Sequence, residues 1–190
     1  MLEQLLQWDT NFFLLINKQG SNAFFDVLMP ILRHKLTWIP LYIVILIAFY
    51  KLYNLKGTLY ITLFTIIMIV VGNSLITDNV KDGVKRLRPC QEQALKGKMV
   101  ERVGCGGMYG YFSAHATNHF ALALFFSLLL KKRFRWATFA LLFWAAAIAY
   151  AQVYVGKHYP LDVITGAIVG SLLGLLTYWL LKKSVKGIYT

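Results

Sequence analysis

The chain has 190 residues, about the length of one domain, and 58% of them are hydrophobic. Its mean hydropathy of +0.56 is too high for an ordinary soluble domain and predicts a membrane protein. The formal net charge of +12 favours an anionic lipid surface or an anionic substrate. Nucleic acid is not an expected partner, because the chain has no basic soluble domain with interleaved aromatic residues.

Residues 1–35 are expected to form an amphipathic segment that lies in the membrane interface. Charged residues such as Glu3, Asp9 and Lys18 make a full crossing unfavourable. One helical face is apolar and the opposite face is polar: Leu2, Leu5, Leu6, Phe12, Phe13 and Ile16 against Glu3, Gln7 and Asn11. Residues 22–33 are interpreted as a second surface helix or a re-entrant helix. The pattern of a removable signal peptide is missing from this segment.

Residues 36–190 are predicted to form a transmembrane core. Five apolar runs are each long enough to cross a hydrocarbon layer of about 30 Å; they cover 36–54, 58–78, 113–131, 135–154 and 161–181. The predicted fold is therefore an all-α, integral membrane helical bundle with one long loop, residues 79–112. Counting the crossings puts this loop and residues 157–162 on the same side of the membrane, so that polar groups distant in sequence can meet there.

Basic residues occur on both predicted sides of the membrane. Nine lie on the side opposite the long loop: Lys51, Lys56, Lys131, Lys132, Arg133, Arg135, Lys182, Lys183 and Lys186. The positive-inside rule makes that side cytoplasmic and the loop extracytoplasmic. Seven of the other eleven lie in the loop: Lys81, Lys85, Arg86, Arg88, Lys96, Lys98 and Arg102. This second concentration of charge indicates an anion site.

The two cysteines, Cys90 and Cys105, both lie in the long loop. An extracytoplasmic loop would allow a disulfide between them, and the alternative is a pair of free thiols. Two cysteines are too few to make a metal site on their own.

The first polar cluster runs from Lys81 to Arg88-Pro89. A turn between the lysine and the arginine would place a point charge and a planar, forked donor at one anion. The alternative is a solvated basic loop.

The second cluster, Ser113-Ala114-His115, lies where an apolar span begins. A helix N-terminus offers free backbone N–H groups to an anion, Ser113 is suited to cap it, and His115 is a candidate general acid. The alternative is a capped helix with an interfacial histidine. His119, four residues further on, would suit a metal pair with His115, but the sequence lacks the glutamate of the zinc-protease helix, so no metal is predicted.

The third cluster pairs His158 with Asp162 around Pro160, which suits the first turn of a helix. A carboxylate four residues from an imidazole can fix its tautomer and leave the other nitrogen as a nucleophile. A structural pair at the interface is the alternative. Asp162 continues a stripe of Gly166, Gly170 and Gly174, whose small residues favour close helix packing, so Asp162 is predicted to point into the bundle.

Together the clusters resemble the three motifs of the type 2 phosphatidic acid phosphatase (PAP2) superfamily, K-x6-R-P, P-S-G-H and S-R-x5-H-x3-D. The resemblance covers roughly residues 36–181. The matching residues are Lys81, Arg88 and Pro89 in the first motif, Ser113 and His115 in the second, and His158 and Asp162 in the third. Phe112 and Ala114 replace the proline and glycine of the second motif, and Ala151-Gln152 replaces the Ser-Arg of the third.

The resemblance implies a metal-independent lipid phosphatase with a phosphohistidine intermediate. His158 would attack phosphorus, Asp162 would stabilise its imidazolium, and His115 would protonate the leaving oxygen. The implied phosphate-binding residues are Lys81, Arg88, Ser113, Ala114 and Gln152. Replacing the family's arginine by Gln152 removes a charge-assisted contact worth about 1.5–3 kcal/mol, and Lys157, Lys85 or Arg86 are candidates to compensate.

The substrate cannot be chosen from the sequence. The resemblance allows undecaprenyl diphosphate, phosphatidylglycerophosphate, phosphatidic acid and lipid A phosphates. A bacterial inner membrane location is expected, with the site facing the periplasm or the cell exterior and with no cofactor or obligatory protein partner. The alternatives are a non-catalytic lipid-phosphate binder or transporter on the same scaffold, which Gln152 would favour, and a small channel or structural membrane protein, which leaves the cation cluster unexplained.

Overall fold

The computed structural model describes residues 1–185, which are mostly helical; the last predicted basic residue, Lys186, lies outside the described part. The helices are α1 (Leu2–Leu14), α2 (Ala23–Leu32), α3 (Ile39–Val70), α4 (Asp78–Val84), α5 (Ala114–Leu130), α6 (Ala137–Tyr154) and α7 (Pro160–Ser184). Two π-helical stretches, Leu15–Gln19 and Val71–Thr77, extend α1 and join α3 to α4. The predicted all-α class is confirmed.

The first two predicted spans form a hairpin that turns at Asn54. This residue has φ 54° and ψ −177°, so α3 consists of two segments, residues 39–53 and 55–70. The Asn54 side chain accepts a hydrogen bond from the Gly57 N–H (3.1 Å) and caps the second segment. Both segments line one apolar cavity: Tyr42, Ile45, Leu46 and Phe49 from the first, and Ile61, Thr62, Thr65, Ile66 and Ile69 from the second. The chain therefore folds back within one residue of the predicted turn.

Three helical stretches are long and apolar enough to cross a membrane: Lys35–Val84, Ala137–Tyr154 and Pro160–Ser184. Because Lys35–Val84 has 50 residues and folds back at Asn54, it supplies two crossings. Helix α5 is a shorter apolar helix of 17 residues at the position of the third predicted span, so residues 1–185 contain an apolar helical segment at each of the five predicted positions.

Helices α5 and α7 pack closely because glycines line the facing side of α7. A Cβ atom at Gly170 would lie only 2.1 Å from the carbonyl oxygen of Thr117. Cβ atoms at Gly166 and Gly174 would lie 2.7 Å and 2.5 Å from other carbonyl oxygens of the same chain segment. The predicted glycine packing is confirmed, and the buried Asp162 continues this face.

The bundle has two polar ends, which we name the basic end and the site end. The basic end contains the Asn54 turn, the α5–α6 turn and the end of α7; Tyr53 there donates its hydroxyl to the Leu129 carbonyl (2.6 Å). The site end contains residues 85–113, the start of α5, the end of α6 and the start of α7.

The first 35 residues pack against the site end. Asp9, Phe13 and Asn17, four residues apart, are buried, so the inner face of α1 carries two polar side chains. The Asn17 amide donates to the carbonyls of Val100 and Tyr154, both at 2.8 Å. This inward polar stripe does not follow from the apolar pattern of the sequence.

Candidate active site

The third motif lies on a turn that is buried throughout. All nine residues from Ala151 to Tyr159 are buried. Gly156 has φ +90°, and a Cβ there would lie 2.5 Å from the end of the Met99 side chain, so the turn requires glycine. The Gln152 carbonyl accepts the N–H groups of Lys157 (3.0 Å) and His158 (3.3 Å). These contacts fix the backbone that carries His158.

His158 faces the carboxylate of Asp162, as the spacing predicts. The distance from His158 Nδ1 to Asp162 Oδ2 is 3.5 Å, which permits a charge interaction, although Nδ1 has no aligned hydrogen-bond partner among the described residues. Burial lowers the pKa of His158, against an opposing effect of Asp162. The imidazole is therefore neutral at neutral pH and keeps a lone pair for attack.

Asp162 is the end of a buried chain of charges that begins in α1. Its Oδ1 accepts Arg86 Nη1 (2.8 Å), and its Oδ2 accepts the backbone N–H of Tyr159 (3.0 Å). Arg86 Nη2 donates to Asp9 Oδ2 at 2.6 Å, and Asp9 Oδ1 accepts the Leu161 N–H at 2.8 Å. One arginine is thus shared by two carboxylates, and burial raises the pKa of Asp9 despite the Arg86 contact.

Asp9 is a residue that sequence reasoning missed. In the sequence it appears only as a charge that disfavours a membrane crossing. The available signal was its spacing of four residues from Phe13 and eight from Asn17, which puts one carboxylate and one amide on a single helical face.

The second motif lies at the start of α5 and touches the third. The Ser113 N–H donates to the Asp162 carbonyl (3.0 Å), and Ser113 Oγ accepts the Ala116 N–H (3.5 Å) as the N-cap. Within residues 1–185, the N–H groups of Ala114 and His115 have no protein acceptor. They are therefore available to an anion at the helix N-terminus.

His115 and His119 are stacked rather than arranged around a common ligand point. Their rings are 6.2 Å apart and nearly parallel, and His119 Nδ1 lies 2.7 Å from the His115 carbonyl oxygen. His119 also meets Trp144 edge-on at 4.9 Å. His119 is thus a packed residue beneath His115, as the sequence favours.

The first motif brings two cations toward the histidines. Arg88 Nε donates to the Tyr109 carbonyl (3.1 Å), and Lys81 Nζ lies 3.5 Å from Asp78 in the same helix. Gly110 separates Arg88 from Asp162, since a Cβ there would lie 3.1 Å from Arg88 Cγ and 3.2 Å from Asp162 Oδ2. Lys81 and Arg88 both act electrostatically on His158.

Gln152, which replaces the arginine of the third motif, contacts a residue that the sequence did not suggest. Arg33, which ends α2, donates Nε to Gln152 Oε1 at 3.4 Å. The buried Gln152 Nε2 has no partner among the described residues. Of the three residues considered as compensating cations, Arg86 is held by two carboxylates, Lys85 is exposed, and Lys157 is buried and donates Nζ to the Cys105 carbonyl.

Cys90 and Cys105 are joined by a disulfide, with Cα atoms 5.8 Å apart. The bridge closes the loop segment that begins after Pro89 and carries the carbonyl bound by Lys157. It therefore ties the first motif to the turn of the third.

The sequence matches the model of the PAP2 superfamily over residues 58–186. It is 32% identical to the lipid A 4'-phosphatase of Bacteroides thetaiotaomicron over 185 residues, which are 96% of this chain and 81% of that protein. It is 27% identical to the lipid A 4'-phosphatase of Porphyromonas gingivalis over 93% of this chain and 74% of that protein.

Two solved structures share the fold. A transmembrane PAP2-type phosphatidylglycerolphosphate phosphatase from Bacillus subtilis superposes with a TM-score of 0.71 at 17% identity, over 98% of this chain and 89% of that one. Aquifex aeolicus LpxE superposes with a TM-score of 0.59 at 23% identity, over 88% of this chain and 93% of that one. At these identities the similarity supports the helical arrangement alone.

Proposed function

Because the chain belongs to the PAP2 superfamily, we propose that this membrane phosphatase removes a phosphate group from lipid A through a phosphohistidine intermediate. The observation that carries the mechanism is the buried, neutral His158 beside the fully buried Asp162, with Lys81, Arg88 and Arg33 nearby. Lipid A is preferred among the candidate lipids because both curated relatives named above are lipid A 4'-phosphatases.

In the proposed mechanism, cations and backbone N–H groups hold the phosphate. Arg88 and Lys81 neutralise its oxygens, and the free N–H groups of Ala114 and His115 donate to the same anion, with Ser113 and Gln152 as further polar contacts. These donors stabilise the charge that develops on the equatorial oxygens in the transition state.

His158 then attacks phosphorus in line with the leaving oxygen. As the N–P bond forms, the ring becomes an imidazolium, which the Asp162 carboxylate stabilises from 3.5 Å. Arg86 and the Tyr159 N–H hold that carboxylate in place. The negative charge of the bound phosphate favours a protonated His115, which gives its proton to the leaving oxygen and later takes one from the water that hydrolyses the phosphohistidine.

The proposed location is a bacterial inner membrane with the site end toward the periplasm. The eight basic residues described at the basic end are all exposed: Lys51, Lys56, Lys131, Lys132, Arg133, Arg135, Lys182 and Lys183. Such exposed cations at span ends suit the cytoplasmic side. A lipid substrate of the outer leaflet would then reach the site directly.

The test is phosphate release from a panel of lipid phosphates, in detergent with excess EDTA, by wild type and His158→Ala. We expect wild type to act on lipid A, and we expect the variant to lose activity by roughly a thousand-fold or more, as for other catalytic nucleophiles. His34→Ala, which removes an exposed histidine, is the control. A radiolabelled, acid-labile phosphoenzyme should form with wild type and His34→Ala but not with His158→Ala.

Release from another lipid but not from lipid A would overturn the substrate assignment and keep the mechanism. Full activity of His158→Ala would overturn the mechanism and leave the lipid phosphatase assignment standing.

A further inference from the structure

The site contains an arginine that belongs to none of the three motifs. Arg33 comes from α2, outside the region that matches the family model, and its guanidinium reaches the buried Gln152. We propose that Arg33 is a phosphate-binding residue that supplies, from α2, the positive charge that Gln152 does not carry. This inference rests on the proposed function and adds a residue to the same site.

Helix α2 holds Arg33 in place through contacts on the end of α6. Met29 is buried against Ala151, Tyr154 and Val155. Asp26 accepts the Tyr154 hydroxyl at 2.6 Å. These anchors lie one and two helical turns before Arg33, so the guanidinium is positioned by a packed helix rather than by a free loop.

An ion pair between Asp26 and Arg102 also holds α2 in place. Arg102 Nε donates to Asp26 Oδ1 at 2.6 Å, and the Arg102 guanidinium stacks 4.1 Å over the Tyr154 ring. Arg102 therefore has a carboxylate partner and serves the packing of α2.

Arg33 differs from Arg102 in its surroundings. Among the described residues, neither Arg33 nor Arg88 has a carboxylate oxygen within 4 Å, whereas Arg86 and Arg102 both do. Burial and the charge of Arg88 lower the pKa of Arg33, and Arg33 also acts electrostatically on His115 and Lys157. Partly buried, mutually repelling cations beside the two histidines favour an anion between them.

The contact between Gln152 and Arg33 offers a reason why a glutamine can replace the arginine of the third motif. The Gln152 Oε1 accepts from Arg33 Nε, which leaves the two terminal nitrogens of that guanidinium without a protein acceptor in residues 1–185. The Gln152 Nε2 is buried and also lacks an acceptor in the part of the chain that the structure describes. The terminal nitrogens of Arg33 and the Nε2 of Gln152 are therefore unpaired donors that lie close together. A phosphate has several oxygens that could accept hydrogen bonds from them.

The test compares Arg33→Ala, Arg33→Lys, the double variant Arg33→Ala/Gln152→Arg, and Arg135→Ala, an exposed arginine at the basic end. Two readouts are needed: kcat and KM for phosphate release from lipid A, and the rise in Tm caused by inorganic phosphate. The second readout does not depend on turnover.

We expect Arg33→Ala to lose roughly 10- to 100-fold in kcat/KM, the range for one charge-assisted contact, and to lose most of the phosphate-induced rise in Tm. Arg33→Lys should keep part of both. The double variant should recover activity, because Gln152→Arg returns the charge to the family's position. Arg135→Ala should match wild type in both readouts.

Equal behaviour of Arg33→Ala and Arg135→Ala in both readouts would overturn the inference, and so would a double variant that recovers nothing. Loss of Tm without phosphate, with the phosphate-induced rise intact, would mean that Arg33 is structural and would also overturn it. If wild type releases phosphate from no lipid, the proposed function fails, and the phosphate-induced rise in Tm still decides whether Arg33 binds phosphate.

Discussion

The two ends of the bundle carry similar numbers of basic residues but use them differently. At the basic end all eight described lysines and arginines are exposed. At the site end Arg86 and Arg102 are largely buried and bound to carboxylates, and Lys157 is 7% exposed. Charge count alone therefore does not distinguish a solvated surface from a binding site.

The difference follows from the dielectric environment of each charge. Exposed charges are screened by water and salt, so each contributes little to stability or to binding of a single anion. Charges removed from water interact several-fold more strongly and must be matched by opposite charge or by hydrogen bonds. The site end satisfies this demand with Asp9 and Asp162 around Arg86, while in the described part of the chain Arg33 and Arg88 have no carboxylate oxygen within 4 Å and are the proposed phosphate-binding residues.

The largest contrast should come from removing one arginine at each end. Arg86→Ala strands two buried carboxylates, and breaking such a pair typically costs about 3–5 kcal/mol. Misplacing Asp162 should also reduce kcat by roughly a hundred-fold. Arg133→Ala at the basic end, an exposed position, should change the free energy of unfolding by less than about 0.5 kcal/mol. The comparison requires the thermal unfolding and the lipid A turnover of both variants. Similar losses of stability and of kcat in Arg86→Ala and Arg133→Ala would contradict the expected difference between the two ends.

The disulfide should stabilise the site end selectively. Cys90 and Cys105 are 15 residues apart, and closing a loop of that size contributes about 3 kcal/mol in the chain-entropy model. Replacing both by serine should lower Tm and expose residues 85–113 to protease, while cleavage near the α5–α6 turn stays unchanged. Dithiothreitol should have the same effect on wild type and none on the double serine variant. Protection of residues 85–113 unchanged by reduction would contradict the assignment.

A smaller effect is expected when α1 is disconnected from the site. Asp9→Asn keeps the shape of the side chain but removes the charge that pairs with Arg86. Because burial opposes the charge of Asp9 and raises its pKa, the loss of the Arg86 contact is partly offset, and the free energy of unfolding should fall by less than about 1.5 kcal/mol. The kcat should be lower, with little change in KM, because Arg86 is no longer fixed from α1. Glu3→Gln, an exposed acidic residue in the same helix, is the matched control. A kcat equal to that of Glu3→Gln would show that α1 only anchors the chain.

These contrasts also mark what the sequence could and could not predict. The five apolar segments, the hairpin near Asn54 and the close packing of the glycine face of α7 follow from hydropathy and glycine spacing, because these signals are local and repeat along the chain. That α5 is the helix packed on this face does not follow from them. The contact between His158 and Asp162 was predicted from their spacing of four residues, although His158 precedes α7 and the extended backbone of Tyr159, not helical periodicity, brings the two together.

Asp9 and Arg33 were beyond that reasoning. Each acts through a partner far along the chain: Asp9 binds Arg86, and Arg33 binds Gln152. Their contacts depend on how α1 and α2 dock onto the bundle, and a single sequence has no periodic signal for docking. The apolar pattern of α1 predicted a face for the membrane interface, on which Leu2, Leu5 and Phe12 are exposed, but it gave no indication that Asp9 is buried against the bundle.

The smallest expected effect concerns a buried cation of the site end, Lys157, and is measured by changing pH. Burial first, and then repulsion by Arg33 and Arg88, lower the pKa of Lys157 to about 8. Below pH 8 the side chain is a cation within electrostatic range of Arg33 and Arg88, the proposed phosphate-binding residues, and above pH 8 it is increasingly neutral. The second pKa of a phosphomonoester is about 6, so the substrate charge does not change between pH 7 and 9. KM should therefore rise a few-fold above pH 8.

The titration of Lys157 changes substrate binding and folding stability in opposite directions as pH rises, so the two effects can be separated. Between pH 8 and the ordinary lysine value, the unfolded chain binds more protons at Lys157 than the folded chain does, so this group makes folding more favourable as pH rises. A rise in KM above pH 8 thus cannot come from unfolding at Lys157. Lys157→Arg stays charged throughout this range and should give a flat KM profile. If the arginine variant follows the same curve as wild type, the titrating group is elsewhere, and Lys157 serves only to hold the Cys105 carbonyl.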